Sequence, residues 1–123
     1  MELNKRNNKL KKYMFGFLDN IRRLKAKNPL IKEIWVEDLG AYLFKLNNRV
    51  FFLVDMEVGC ISLACYDSCR PIIKARYSKL IFTHPYVSEK RLLSIFLPNQ
   101  ESSIKLALEL FEAAQPVVGR KAS

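Results

Sequence analysis

Three cysteines and one histidine are the side chains of this 123-residue chain to weigh first for metal binding or nucleophilic catalysis. Cys60, Cys65 and Cys69 are spaced C-x4-C-x3-C, and His84 follows. Zinc sites usually draw on cysteines paired two residues apart and close with a fourth ligand. His84 completes such a set on paper. The spacing argues against it, because Cys60 and Cys65 lie an odd number apart on one expected strand and so point to opposite faces. The cysteines therefore read as structural thiols, and no metal and no cofactor are expected. The core inventory is ample for folding without either metal or disulfide. His84, in a loop before Pro85, has the chemistry of a general base or a phosphate contact. No Ser-His-Asp or Cys-His grouping is readable from the spacing. The carboxylates give no readable pair either, since Glu37-Asp38 and Asp55 with Glu57 fall at expected turns, where solvated acids are ordinary. Four scattered glycines form no phosphate loop. No catalytic residue is expected, and the chain reads as non-enzymatic.

What remains is positive charge. The net charge is +9 and unevenly spread: residues 1–32 carry +8, residues 33–69 carry −4, residues 70–91 carry +5, and the rest balances. Such asymmetry favours a polyanion, or an acidic protein or membrane surface, as partner. The residues read as phosphate contacts are Lys9, Lys12, Arg22, Arg23 and Lys27 in the first block, and Arg70, Lys74, Arg76 and Lys79 in the second. Tyr13, Tyr77 and Tyr86 are interleaved and would stack on bases if exposed. Helix-end electrostatics give Arg22 to Lys27 a purely structural reason as well, because cations favour the negative end of a helix dipole. No zinc finger, RNP motif or helix-turn-helix accompanies the charge. Binding through the nucleic-acid backbone, DNA ahead of RNA, is the first expectation. The alternative is a protein-interaction module or inhibitor, of mobile-element or phage type, that docks on an acidic partner surface.

These groups must be held by an α+β framework. Between Ile34 and Tyr66 lie runs rich in β-branched and aromatic residues, 34–37, 41–46, 49–54 and 60–66, each of strand length. Asn47-Asn48 suits a two-residue hairpin turn, since Asn tolerates positive φ. Asp38-Leu39-Gly40 and 55–59 read as the other connections. Phe51 to Val54 run apolar without a break, so this strand is expected to be covered on both faces. Before the meander, Leu10, Tyr13, Met14, Phe17, Leu18, Ile21 and Leu24 form one apolar stripe of a helix over about 9–27, ended by Asn28-Pro29. After it come a short helix near Pro71 with Ile72, Ile73 and Tyr77 inward, an extended piece at 80–83, and a strand at 91–97. A final helix is expected over about 102–114, with Ile104, Ala107, Leu108 and Phe111 buried and Pro116 as its stop. The whole reads as a single domain over 1–123, with 1–9 as a flexible basic arm and 117–123 as a frayed tail. No run reaches the length of a membrane span. The N-terminal residues lack the apolar core of a signal peptide, and an odd cysteine count makes no disulfide framework. A reducing, cytoplasmic setting is expected.

The last third carries a resemblance. Phe82-Thr83-His84-Pro85-Tyr86, then the strand Leu92 to Leu97, then the helix Leu106 to Gln115 running into Pro116, resemble the C-terminal half of MmcQ/YjbR-like proteins. The hairpin Phe44 to Val54 is similar to that family's turn into an apolar strand, and the likeness covers about residues 30–117. His84-Pro85 stands where the family has Pro-His, and Asn47-Asn48-Arg49 where Gly-Lys is usual. The resemblance implies an α+β fold with an antiparallel sheet and flanking helices, as in the frataxin/CyaY arrangement. It implies DNA binding as a suggested function and brings no catalytic residues.

Overall fold

The Asn47-Asn48 pair closes its hairpin in the conformation that its residue types allow: both have positive φ, 52° and 62°, as a two-residue turn between twisted strands requires. The computed structural model describes residues 2–65, 70–77, 79–84, 92–96 and 101–119. Side chains of residues 2–11, 72, 76, 77, 101–104, 106 and 117–119 are outside that description. In chain order the elements are α1 (Glu2–Lys25), β1 (Lys32–Val36), a 3-10 turn (Glu37–Leu39), β2 (Ala41–Leu46), β3 (Arg49–Asp55), β4 (Cys60–Leu63), α2 (Arg70–Tyr77), β5 (Ile81–Phe82), β6 (Leu93–Phe96) and α3 (Glu101–Gly119). The expected α+β class and antiparallel meander are present. The strand order is β1-β2-β3-β4-β6-β5, with every neighbouring pair antiparallel. β1 to β4 are consecutive, whereas β6 inserts beside β4 and leaves β5 at the far edge.

A register shift in the first hairpin sets the core. Phe44 pairs with Phe52 but Lys45 pairs with Val50, so Phe51 is an extra residue on β3. Strict alternation would send Phe51 and Phe52 to opposite faces. The bulge bends the strand, and both rings reach the same partner. Phe111 of α3 has its ring centroid 5.5 Å from Phe44, 5.3 Å from Phe51 and 5.1 Å from Phe52. All four rings are fully buried. α1 packs its stripe Met14, Phe17, Leu18 and Ile21 into the same core. β3 is buried from Phe51 to Asp55, so the expected central strand is covered on both faces.

Three boundaries differ from expectation. α1 begins at Glu2, so the residues read as a flexible arm continue the helix; Glu2, Leu3, Lys5, Arg6 and Lys9 are good helix formers that propagate a helix once the packed stripe has nucleated it. β4 stops at Leu63, so Cys65 is not on the strand with Cys60. α3 passes through Pro116 and ends at Gly119. Proline cannot donate to the carbonyl of Glu112, but Glu112 is exposed, and water can take that place. Residues 66–69, which hold Cys69 and the expected cap of α2, and the rest of the tail, 120–123, lie outside the described residues.

Candidate functional site

Alternation along the strands separates two faces. Phe52, Val54, Ile61, Leu63, Leu93 and Ile95 point to the helices, and all are buried. Leu53, Asp55, Cys60, Ser62 and Ser94 point the other way, and they too are buried. On that second face Ser62 Oγ and Ser94 Oγ, at paired positions, are 2.7 Å apart. Asp55 and Cys60 are also paired, at the mouth of the β3–β4 turn. Asp55 Oδ1 accepts the backbone N–H groups of Glu57 at 3.0 Å and Val58 at 2.9 Å. Gly59 completes the turn at φ 79°, a conformation open to glycine without strain.

The chain leaving β5 brings His84 to this corner. Its Nε2 lies 2.8 Å from Asp55 Oδ2, with both side chains 3% exposed. The Phe82 ring, itself stacked on Phe96, lies 6.0 Å from the imidazole. Cys60 completes the cluster: one donor atom each from Asp55, Cys60 and His84 falls within 4.8 Å of the others. Burial, and then the Asp55 carboxylate, push the Cys60 thiol far above its ordinary range. Such a thiol is a poor nucleophile on its own. An imidazole, a carboxylate and a thiol thus meet in a buried corner, where they can share protons or hold a cation.

Of the four residues available from spacing, two meet among the described residues. Cys60 and His84 come together. Cys65 is half-buried beyond β4, and Cys69 lies outside the described residues. The third member is Asp55, an acid that its place at a turn led one to expect in solvent. It is buried because the turn folds back over it and its two oxygens have partners, which offsets the cost of desolvation. One signal was available: Asp55 directly continues the apolar run Phe51 to Val54 and precedes Met56, so a buried position was in phase.

The cationic residues divide by exposure. Arg22 is committed to structure. Its Nε lies 3.0 Å from Glu33 Oε1 and its NH2 group 2.8 Å from Oε2, and the guanidinium sits 5.1 Å from the centroid of the Tyr42 ring. Lys25 Nζ reaches the same carboxylate at 3.4 Å. The Arg22 hydrogen bond, more than any other influence, holds the Glu33 carboxyl below its usual range. Arg22 therefore fastens α1 to β1 rather than standing ready for phosphate. Lys12, Arg23, Lys27, Lys74 and Lys79 are exposed, and Arg70 is half-exposed. The side chains of Lys9 and Arg76 are not among those described. The two blocks sit apart: Arg22 and Lys25 join the edge strand β1, whereas Lys79 and Leu80 lead into the opposite edge strand β5. Of the interleaved tyrosines, Tyr13 packs partly into the core, the side chain of Tyr77 is not described, and Tyr86 lies outside the described residues. Among the described residues no helix is long and apolar enough to cross a membrane.

The architecture is that of an antiparallel sheet with two long helices on one face. It is shared by the DUF419-domain protein DR2400 of Deinococcus radiodurans, whose crystal structure superimposes with a TM-score of 0.70 at 18% sequence identity, over 86% of this chain and 80% of that one. DUF419 is related to the MmcQ/YjbR-like proteins, and at this identity the likeness is one of fold. No family model matches the sequence, and no protein of curated function matches it.

Proposed function

We propose that this is a small, non-enzymatic nucleic-acid-binding protein, distantly MmcQ/YjbR-like, that holds the phosphates of DNA ahead of RNA through two cationic surfaces. The observation that carries the reading is the exposure of Lys12, Arg23, Lys27, Lys74 and Lys79 on a chain of net charge +9. Five strand spacings separate the two sheet edges, roughly 24 Å, or about seven base pairs of duplex DNA. In this reading one duplex meets both blocks. Lys9, Arg70 and Arg76 belong to the same surfaces in this reading, and Arg22 supports them from behind by holding the end of α1. The cytoplasmic setting is part of the proposal, supported by the odd cysteine count.

The test is a salt titration. Lys12, Arg23 and Lys27 are replaced by Gln in one variant, and Lys74 and Lys79 in a second. Each lost phosphate contact should weaken duplex binding and flatten the slope of log K against log[salt] by about 0.9. Unchanged affinity and slope in both variants would sink the proposal. A second reading, docking on an acidic protein, draws on Leu30, Ile34 and Trp35. These are exposed apolar side chains on or beside edge strand β1, close to the exposed Lys27 and Lys32. Absence of wild-type binding to any nucleic acid at low salt would favour it.

A further inference from the structure

The corner formed by Asp55, Cys60 and His84 plays no part in phosphate contact, because all three side chains are buried. We propose that it is a cation site: a carboxylate oxygen of Asp55, the Cys60 thiolate and an imidazole nitrogen of His84 take a divalent transition-metal ion of the zinc class.

Four observations carry the assignment. The first is donor chemistry. A thiolate with an imidazole selects a borderline-soft cation, whereas magnesium and calcium take oxygen ligands. The second is reach. The three donor atoms already lie within 4.8 Å of one another. Bonds of about 2.0–2.3 Å in a tetrahedral site need donor separations of roughly 3.3–3.6 Å. His84 Nε2 and Asp55 Oδ2, now 2.8 Å apart, would part by about half an ångström, and the thiol would draw in by side-chain rotation.

The third observation is charge. One carboxylate, one thiolate and a neutral imidazole cancel a doubly positive ion, so the buried site is neutral overall. The thiol proton leaves to solvent when the metal enters. The fourth is the support behind the ligands. Asp55 Oδ1 is held by the amides of Glu57 and Val58, which orient the carboxylate and leave Oδ2 for the ion. Asp55 and Cys60 are paired residues across one hairpin, so their spacing is set by the sheet. Among the described residues no fourth His, Cys, Asp or Glu joins the group, and a tetrahedral ion takes one further ligand. The site reverses the expectation of a metal-free protein because its carboxylate comes from Asp55, which the cysteine spacing does not include.

Cobalt provides the test, since a thiolate bound to Co2+ absorbs in the near ultraviolet. The full chain is stripped with chelator under reducing conditions and titrated with Co2+. The absorption should saturate at one equivalent, disappear on addition of Zn2+, persist in Cys65→Ala and be lost in Cys60→Ala. Circular dichroism checks that Cys60→Ala is folded, and Cys60→Ser replaces it if it is not. Zn2+ should also raise the melting temperature of the wild type and not that of the Cys60 variant. No absorption from the folded wild type in excess Co2+, or absorption that survives loss of the Cys60 thiol, overturns the site and leaves Asp55–His84 as a hydrogen-bonded pair beside an apolar thiol.

Discussion

Two carboxylates in this protein hold distant segments together, and they do so in opposite surroundings. Glu33 on β1 receives Arg22 and Lys25 from the end of α1, with the Glu33 side chain 15% and the Arg22 side chain 38% exposed. Asp55 at the end of β3 receives His84 from beyond β5, and each side chain is 3% exposed. Their hydrogen bonds are equally short, 2.8 Å in both cases. Distance therefore does not separate them, but solvent does. Water and salt can replace much of what Arg22 gives Glu33. Removing Asp55 would take this acceptor from a buried imidazole and from two turn amides at once, and a buried polar group that loses its partner carries its desolvation cost.

That contrast predicts the largest effect at Asp55. Asp55→Ala removes the acceptor for His84 and for two backbone N–H groups at once. The expected loss is about 3–5 kcal/mol, typical of breaking a buried pair from one side, as read by urea denaturation of the metal-free protein. A loss below that for Glu33→Gln would show that water enters the corner and would erase the distinction.

The two regions should also respond at opposite ends of the pH scale. The Cys60 thiol, ordinarily near 9.0, is raised by burial and by Asp55. Its contribution is fully present below the unfolded value and is lost as pH rises, because the unfolded chain sheds a proton that the folded chain keeps. Above about pH 9, the metal-free wild type should lose roughly 1 kcal/mol per pH unit more than Cys60→Ala does. Parallel alkaline limbs in the two proteins would place the thiol in solvent.

The smallest effect belongs to Glu33. Glu33→Gln should cost about 1 kcal/mol or less, reduced further by salt, since the pair is partly solvated. The carboxyl is lowered from 4.5 by the Arg22 hydrogen bond, so its contribution is present above that value and fades as pH falls through the folded value. Wild type and Glu33→Gln should therefore converge in stability in acid. A gap that persists there would mean that the side chain acts through packing.

Much of the framework was legible in local pattern. The α1 stripe is buried at Met14, Phe17, Leu18 and Ile21, as a 3.6-residue period demands. Asn47 and Asn48 turn where their tolerance of positive φ allows. Phe111 lies in the core on the predicted face of α3. Phe51 was legible as buried but not as a neighbour of Phe111, because alternation alone assigns Phe51 and Phe52 to different faces. The bulge is a property of the pairing between β2 and β3, and neither strand's pattern contains it.

The site was less legible for a related reason. A cysteine's nearest ligands in sequence are visible from spacing, whereas Asp55 and His84 are brought together from different hairpins. The sequence by itself determined element types, the buried stripes, the tight turn and the segregation of charge, because each depends on residues within a few positions of one another. Tertiary structure alone decided the insertion of β6 between β4 and β5, the meeting of Asp55, Cys60 and His84, and the capture of Arg22 by Glu33. Each of these depends on strand order and sheet register, which are settled by the joint burial of both sheet faces rather than by any local preference.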